Sequence, residues 1–455
     1  MNPDKKHLQL LQRALTDLEQ GFGRLPDFTS ATEYDVVAGV LETVAHRMRD
    51  NYPYHHPLYV GQMLKPPHPV AHLAYTLAMS INPNNHALDG GRASSRMEKE
   101  AVEEIAKMFG WSESLGHLCG GGTMANLEAL WIAREINTDA NRPVVLASSQ
   151  CHYTHSRVAA LLAMPFRAVA ADASGAMDIQ ALEQELQQGD VGTVVATLGT
   201  TLCGAIDPLP QILKLRDQYG FRLHVDTAYG GYFTLVDNLD PHARMAFDAI
   251  READSVVIDP HKHGLQPYGC GCIIFKDPGV GRVYRHESPY TYFSSDEFHL
   301  GEISLECSRP GAAAVALWAT MQMLPPHRHS EFAQQLQQCR QTAMQFYQWL
   351  HNSADFTPLF GPQLDIVLWA ATAQSASATS RRSRQLFEIA AALDLHLAVA
   401  TVPRAMCVSL QGIQDWDQDH VECLRACVMK PEHHEWLPEI TARLQQSLAQ
   451  LENQA

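Results

Sequence analysis

From about residue 70 to 320 the chain switches repeatedly between two hydrophobic periods. In "SRMEKEAVEEIAKMF", Met97, Ala101, Ile105 and Met108 recur at helical spacing, which predicts an amphipathic helix. Between such stretches lie short runs that are almost unbroken in apolar residues. They are "PVVLAS" from 143, "TVVATL" from 193, "FRLHVD" from 221, "SVVID" from 255 and "GCIIF" from 271. A strand wetted on one face alternates polar and apolar residues. Unbroken runs predict strands covered on both faces, as in a mainly parallel sheet flanked by helices. The predicted fold class is α/β, and in such sheets functional groups gather at the carboxyl ends of the strands.

The two ends of the chain read differently. The first sixty residues predict two amphipathic helices and then a crossing rich in Tyr, His and Pro, "NYPYHHPLYVGQMLKPPHP". Pro66, Pro67 and Pro69 exclude a helix there. Such an arm is too short to hold its own core, so it packs on the rest of the chain or on a partner subunit. After "MLPPHRH", long helices and a few strands such as "LDIVLWA" predict a smaller α+β unit. The expected division is a helical arm over 1–60, a large domain over 61–324 and a small C-terminal domain over 325–455. The run "AATAQSASATSRRSR" reads as a flexible loop with a solvated Arg cluster.

Composition narrows the function classes. With 46% hydrophobic and 18% charged residues, the 455-residue chain has the makings of a well-buried globule. The net charge is −16 and no Lys/Arg run is present, so neither nucleic acid nor an anionic membrane is an expected partner. There are 23 histidines, so a lone His carries little weight. The ten cysteines include a CxC at Cys270 and Cys272 but no paired CxxC at zinc spacing. Several, such as Cys119, Cys203 and Cys307, sit in apolar runs, which predicts free buried thiols, no metal site and a reducing compartment. The N-terminus lacks the features of a signal peptide, and no apolar run approaches the roughly 20 residues of a membrane span. A cytoplasmic location is expected.

Four segments at predicted strand ends carry chemistry. "CGGGTMANLEALWIARE" runs from three glycines and Thr123 into a helix, whose free N–H groups and partial positive charge suit a phosphate. It is neither a Walker sequence nor GxGxxG, and a Gly-rich turn packing a helix on a sheet would look the same. "SSQCHYTHSRVAALL" puts His152 just past a strand, where it could stack on a ring or merely cap the turn. "FRLHVDTAYGG" ends an apolar strand on Asp226, a costly place for a carboxylate unless it meets a cation or a donor. A protonated ring nitrogen would serve, as would a simple turn cap. In "SVVIDPHKHGLQPYGCG", about 36 residues later, Lys262 follows another strand. A sheltered lysine tends toward a lowered pKa and nucleophilicity. A phosphate cradle, a stacking His, an Asp for a pyridinium and an amine are together the parts that hold pyridoxal phosphate.

"HVDTAYGG" followed by "DPHKHG" resembles the fold-type I, group II pyridoxal-phosphate decarboxylases, which act on aromatic amino acids, tyrosine, aspartate or glutamate. "HPLYVGQMLKPPHPVA", "GGGTMANLEAL", "TLGTTLCGAIDPL" and "SLECSRPGAAAVALWA" agree, and the resemblance spans roughly 56–320. The segment with "SRPG" is also similar to the sphingosine-phosphate lyase and archaeal tyrosine/aspartate decarboxylase branch. The resemblance implies a mainly parallel seven-stranded sheet and a homodimer with its sites at the subunit interface. It implies that Lys262 binds the cofactor through its amine, Asp226 pairs with the pyridine nitrogen and His152 stacks on the ring. Gly122, Thr123 and His261 would hold the phosphate, Ala228 would pack under the ring and Thr200 would lie near it. Ser95 and Arg309 match positions near the substrate, Arg309 also reading as a structural salt bridge. Tyr290 matches a mobile-loop tyrosine that returns a proton to the substrate, with Tyr292 as the alternative. Three departures stand out: His263 where many members have Trp or Met, Gly120 where Ser or Thr is common, and Met124 for a frequent Glu.

The activity so implied is α-decarboxylation of an L-amino acid to an amine. A carbon–carbon lyase of the sphingosine-phosphate type, which gives an aldehyde, is the alternative, with transamination or oxidative deamination behind it. A non-catalytic descendant of the fold is opposed by the complete Lys, Asp and His set.

Overall fold

The structure is a computed structural model and describes residues 5–23, 25–26, 33–285 and 299–454. The alternating region folds around a seven-stranded sheet. Its strands are β1 (Leu115–Cys119), β2 (Val144–Ser148), β3 (Phe166–Val169), β4 (Val191–Thr197), β5 (Arg222–Asp226), β6 (Ser255–Ile258) and β7 (Gly271–Phe275). The order across the sheet is β1-β7-β6-β5-β4-β2-β3. Neighbours from β6 to β3 are parallel, and β7 runs antiparallel between β1 and β6. All five runs predicted from hydrophobicity are strands, and β2, β6 and β7 are buried at every position. The sequence pattern missed β1 and β3. In β1 the apolar run is broken by Gly116 and by His117, a buried imidazole 2.9 Å from Glu128. In β3, Arg167 turns outward to Glu185 and Asp190.

Six helices precede or follow the first strands: α1 (Lys5–Gly21), α2 (Tyr34–Met48), α3 (Pro69–Met79), α4 (Arg92–Met108), α5 (Gly122–Ile136) and α6 (Thr154–Leu161). Pro69 starts α3, since a proline at the first helical position gives up only an N–H that has no partner anyway. The predicted face of α4 is rotated. Ser94, Ser95, Glu98, Ala101, Val102 and Ile105 are buried, whereas Met97 and Met108 are half-buried. The shift follows from Glu98, which is drawn inward by Arg309 at 2.6 Å. No residue of α1 or α2 is buried, and Val36, Val40, Leu41 and Val44 on α2 are exposed.

A second, antiparallel sheet contains β8 (Thr357–Pro358), β9 (Ile366–Ala370), β10 (Ala398–Pro403) and β11 (His420–Cys427), in the order β10-β11-β9-β8. Leu364, Ile366 and Leu368 join Leu198, just past β4, and Val225 of β5 in one core. The expected flexible loop over 370–384 is instead the end of β9, a turn and the start of a helix, Ala376–Ala392. Ser375 caps that helix by accepting from Ala378 N–H, and the small side chains of Thr379, Ser380 and Ser383 are buried against the sheet. Small polar residues therefore form a packing face there, and Arg384 pairs with Glu422. The cysteines are free, with Cys119 and Cys203 buried as expected, but Cys307 lies exposed in a loop. Among the described residues, no helix is long and apolar enough to cross a membrane.

Candidate active site

β1, β2, β4, β5 and β6 all end on the same edge of the sheet, so the segments that follow them meet. Between them lies a cavity of about 510 Å³ bordered by Gly121, Thr123, His152, Asp226, Ala228 and Lys262. The glycine turn forms one wall. Gly121 has φ +142°, where a side chain would be strained, and a Cβ on Gly122 would stand 2.9 Å from Asp259 Oδ2. A Cβ on Gly271 would stand 2.5 Å from Gly121 Cα, so the glycines let the turn pack closely against β7. The N-terminus of α5 opens on the cavity, with Thr123 on its first turn. Thr123 Oγ1 lies 3.2 Å from Thr154 Oγ1, which lies 2.7 Å from His152 Nδ1. Gly120 N–H donates to Glu306 Oε2 at 3.1 Å.

Asp226 forms the floor, only 4% exposed. Its Oδ2 lies 2.8 Å from His155 Nε2 and accepts from Asn126 Nδ2 at 3.2 Å. Its Oδ1 accepts from Ala228 N–H at 2.9 Å. Behind it, His224 Nε2 donates to Asn126 Oδ1 at 2.8 Å. Burial pushes the Asp226 carboxyl up, but the hydrogen bond and charge of His155, the Ala228 N–H and Lys262 outweigh it and hold the group well below the usual carboxylate range. The floor is thus a fixed negative charge. Lys262 Nζ lies 3.1 Å from Asp259 Oδ2, with its side chain 22% exposed toward the cavity. His261 Nδ1 donates to Cys270 O at 2.9 Å, and its ring lies 4.8 Å from that of Tyr268. Burial lowers the pKa of both His152 and His261, so both rings are neutral near pH 7.

The profile of the pyridoxal-dependent decarboxylase conserved domain matches residues 52–370. The chain belongs to that family. The L-tyrosine decarboxylase of Enterococcus faecium is 27% identical, over 83% of this chain and 79% of that one. A probable L-aspartate decarboxylase of Thermococcus gammatolerans is 26% identical, over 68% of this chain and 77% of that one. Among solved structures, mouse CSAD superposes with a TM-score of 0.77 at 20% identity, covering 98% of this chain and 92% of that one. Oryza sativa TDC, solved with PLP and tryptamine, gives a TM-score of 0.77 at 17% identity, covering 97% and 96%. The fold is accordingly that of the fold-type I enzymes, and the protein is a pyridoxal-phosphate-dependent decarboxylase.

The cavity of this decarboxylase fits that cofactor. The free N–H groups of α5 and the Thr123 hydroxyl suit a phosphate, and the closely packed glycines let it approach the backbone. The fixed charge of Asp226 suits a protonated ring nitrogen, His152 offers a half-buried ring and Lys262 an amine. The fold brings seven of the expected residues to this cavity: Gly122, Thr123, His152, Asp226, Ala228, His261 and Lys262.

Three others stand elsewhere. Thr200 is fully buried and accepts from Ala205 N–H at 3.0 Å within its own turn, while its neighbour Thr201 borders the cavity. Arg309 Nη1 is taken up by Glu98 at 2.6 Å and Leu118 O at 2.5 Å, which ties the "SRPG" turn to α4 and β1 and leaves the guanidinium away from the cavity. Ser95 is buried on α4 and does not border the cavity either. Tyr290 and Tyr292 lie outside the described residues.

Four residues at or behind the cavity escaped the sequence reading: His155, Asn126, Asp259 and Glu306. His155 stands three residues after His152, and Asn126 lies one helical turn past Gly122. Both spacings were signals. Asp259 and Glu306 sat in quoted motifs, but nothing local singles out a carboxylate that meets a loop from another part of the chain.

Proposed function

We propose that this enzyme removes the α-carboxylate of an L-amino acid as CO2 and releases an amine. The observation that carries the reading is the convergence of the Lys262 amine and the fixed Asp226 charge on one cavity that also holds a phosphate-suited helix N-terminus. The names of the sequence relatives, tyrosine and aspartate decarboxylases, support an amino acid substrate.

When bound, pyridoxal phosphate supplies an electron-poor ring that draws electrons from a bond at the substrate α-carbon. The chain's residues set which bond and when. Asp226 would hold a proton at the pyridine nitrogen, because its own carboxyl is kept well below the usual carboxylate range by the His155 and Ala228 contacts. His152, kept neutral and oriented by Thr154, would pack its ring against the cofactor. Gly122, Thr123 and His261 would hold the phosphate end. Lys262 would hold the cofactor through its amine, and its Nζ, once free, would be the group placed to accept or donate a proton there. Tyr290, with Tyr292 as the alternative, is the proposed acid that returns a proton to the α-carbon.

The arm, large domain and small domain are proposed to divide near residues 60 and 324. A homodimer is proposed because the apolar side chains of α2 are uncovered within one chain. A cytoplasmic location is supported by ten free thiols.

The test is to incubate the loaded protein with separate pools of acidic, aromatic, basic and sulfur amino acids and to follow products by mass spectrometry. An amine 44 mass units lighter than a substrate, the mass of CO2, is expected from one pool. An aldehyde instead of an amine would overturn the reading in favour of carbon–carbon cleavage.

A further inference from the structure

The residue after Lys262 is one of the chain's departures from its family, and it is not on the surface. His263 is fully buried. Its ring packs edge-on against Tyr229 at 4.8 Å and Phe233 at 5.0 Å. Its Nε2 stands 3.3 Å from Asp365 Oδ2. Asp365, also fully buried, precedes β9 in the second sheet, and its own carbonyl accepts from Val428 N–H at 2.8 Å. Its Oδ1 accepts from the Tyr229 hydroxyl at 2.6 Å. One carboxylate from the four-stranded sheet therefore touches the neighbours of two cavity residues. Tyr229 follows Ala228, and His263 follows Lys262.

The arrangement is not what packing alone would choose. Burying a carboxylate beside an imidazole is unfavourable unless both are well bonded. Here the Asp365–His263 contact is close but misaligned for a hydrogen bond, so Asp365 Oδ2 and both His263 nitrogens are buried without one. Burial raises the Asp365 carboxyl to about 6, against the Tyr229 hydrogen bond and the charges of Lys65 and Arg425. Burial also drives His263 well below its ordinary value, with Lys65 and Lys262 adding to it. The titratable groups facing the pair are therefore Tyr229, Lys65, Lys262 and Arg425, with the buried thiols of Cys339 and Cys427 beyond. Burial therefore works against charge on both groups, raising the Asp365 carboxyl and keeping the His263 ring neutral.

We propose that Asp365 is a positioning residue: through Tyr229 and His263 it fixes the segments that carry Asp226 and Lys262, so the seat of the four-stranded sheet sets the place of the lysine. This rests on the reading of Lys262 as the residue that holds the cofactor.

The experiment compares loaded wild-type protein with Asp365→Asn, His263→Met, Tyr229→Phe and the double variant H263M/D365N. The visible absorbance of the bound cofactor is titrated with pH, and kcat, KM and thermal midpoint are measured beside it. Asp365→Asn loosens the two segments that seat the cofactor, so the absorbance transition should move by about half a unit or more from its wild-type position. It should lower kcat roughly tenfold with KM within twofold. The double variant should lose little more than Asp365→Asn alone, because the two residues act along one path. Tyr229→Phe keeps the packing and loses only the donor, so it should shift kcat in the same direction by less. It supplies the answer should Asp365→Asn fail to fold. An unchanged transition and an unchanged kcat, even with a lower thermal midpoint, would overturn the proposal and leave Asp365 a structural brace. Lys262→Ala separates the two claims: if it kept the visible absorbance, the reading of Lys262 would fall, whatever Asp365 does.

Discussion

Two buried charged clusters lie near β1, and both contain residues that the sequence marks for function. One surrounds Asp226 and Lys262; the other joins Glu98, Arg309 and Asn85. The second is closed to the cavity, although Arg309 Nε is buried in it without a hydrogen-bond partner. Glu98 Oε1 receives Arg309 Nη1 at 2.6 Å and Leu118 N–H at 3.0 Å, and its Oε2 receives Asn85 Nδ2 at 2.5 Å. Ser94 completes the set with a hydrogen bond to Asn85 Oδ1 at 2.5 Å. The first cluster is braced from behind by His155 and Asn126 and open in front, where Asp226 and Lys262 border the cavity. A buried charge is therefore a poor sign of function on its own. A charge held from one side and left open on the other is a good one, because the bracing fixes it and the opening lets a ligand meet it.

The largest effect should come from the open cluster. Lys262→Ala is expected to abolish the visible absorbance of bound cofactor and to lower turnover roughly ten-thousand-fold, the upper range for a group that transfers protons. Spectra and single-turnover rates check it, and normal turnover would break the comparison at its centre. Asp226→Asn keeps the shape and removes the charge. A loss of roughly 100- to 1,000-fold in kcat is expected, comparable to deleting one preorganised electrostatic contact. A decline below tenfold would mean that His155 and Asn126, not the carboxylate, do the stabilising.

The closed cluster should answer in a different quantity. Arg309→Met leaves Glu98 buried without its cation, so unfolding should become easier by about 3–5 kcal/mol. The kcat of the folded fraction should stay within about threefold. Adding Glu98→Gln removes the stranded charge and should restore a good part of the stability, which denaturant melts would show. A KM that rises tenfold or more in Arg309→Met, with stability intact, would instead move Arg309 into the substrate site.

The same contrast explains what the sequence could reveal. The runs at 193, 221 and 255 were legible because a strand covered on both faces needs unbroken apolar residues. Lys262, Asp226 and His152 were singled out because Asp226 ends such a strand and the other two stand four residues past one, and parallel topology brings strand ends together. β1 was not legible, because His117 is tolerated in the core through Leu118 O and, across the fold, through Glu128, eleven positions away on α5. The helix Ala376–Ala392 was not, because its serines read as loop-formers until the second sheet buries them. Arg309 and Ser95 matched a family pattern residue by residue, but what an arginine binds depends on which elements the fold puts beside it. The carboxylates of Asp259, Glu306 and Asp365 belong to the same class: each acts across the fold, on a loop or segment brought to it by tertiary packing.

The smallest expected effect is also the sharpest test of where the site ends. Ser95 lies one residue from Ser94 of the closed cluster, 1% exposed, and its hydroxyl has no hydrogen-bond partner among the described residues. Removing a buried hydroxyl that bonds to nothing should cost no stability and can add up to about 1 kcal/mol. Ser95→Ala should therefore melt at or slightly above the wild-type midpoint, with kcat and KM within twofold. A substrate contact predicts the opposite pattern: an unchanged midpoint with KM raised tenfold, because a polar group of the substrate would lose its partner. That outcome would mean the unsatisfied hydroxyl is aimed at a ligand, and α4 would then belong to the open cluster, its buried face serving substrate as well as the Glu98–Arg309 pair.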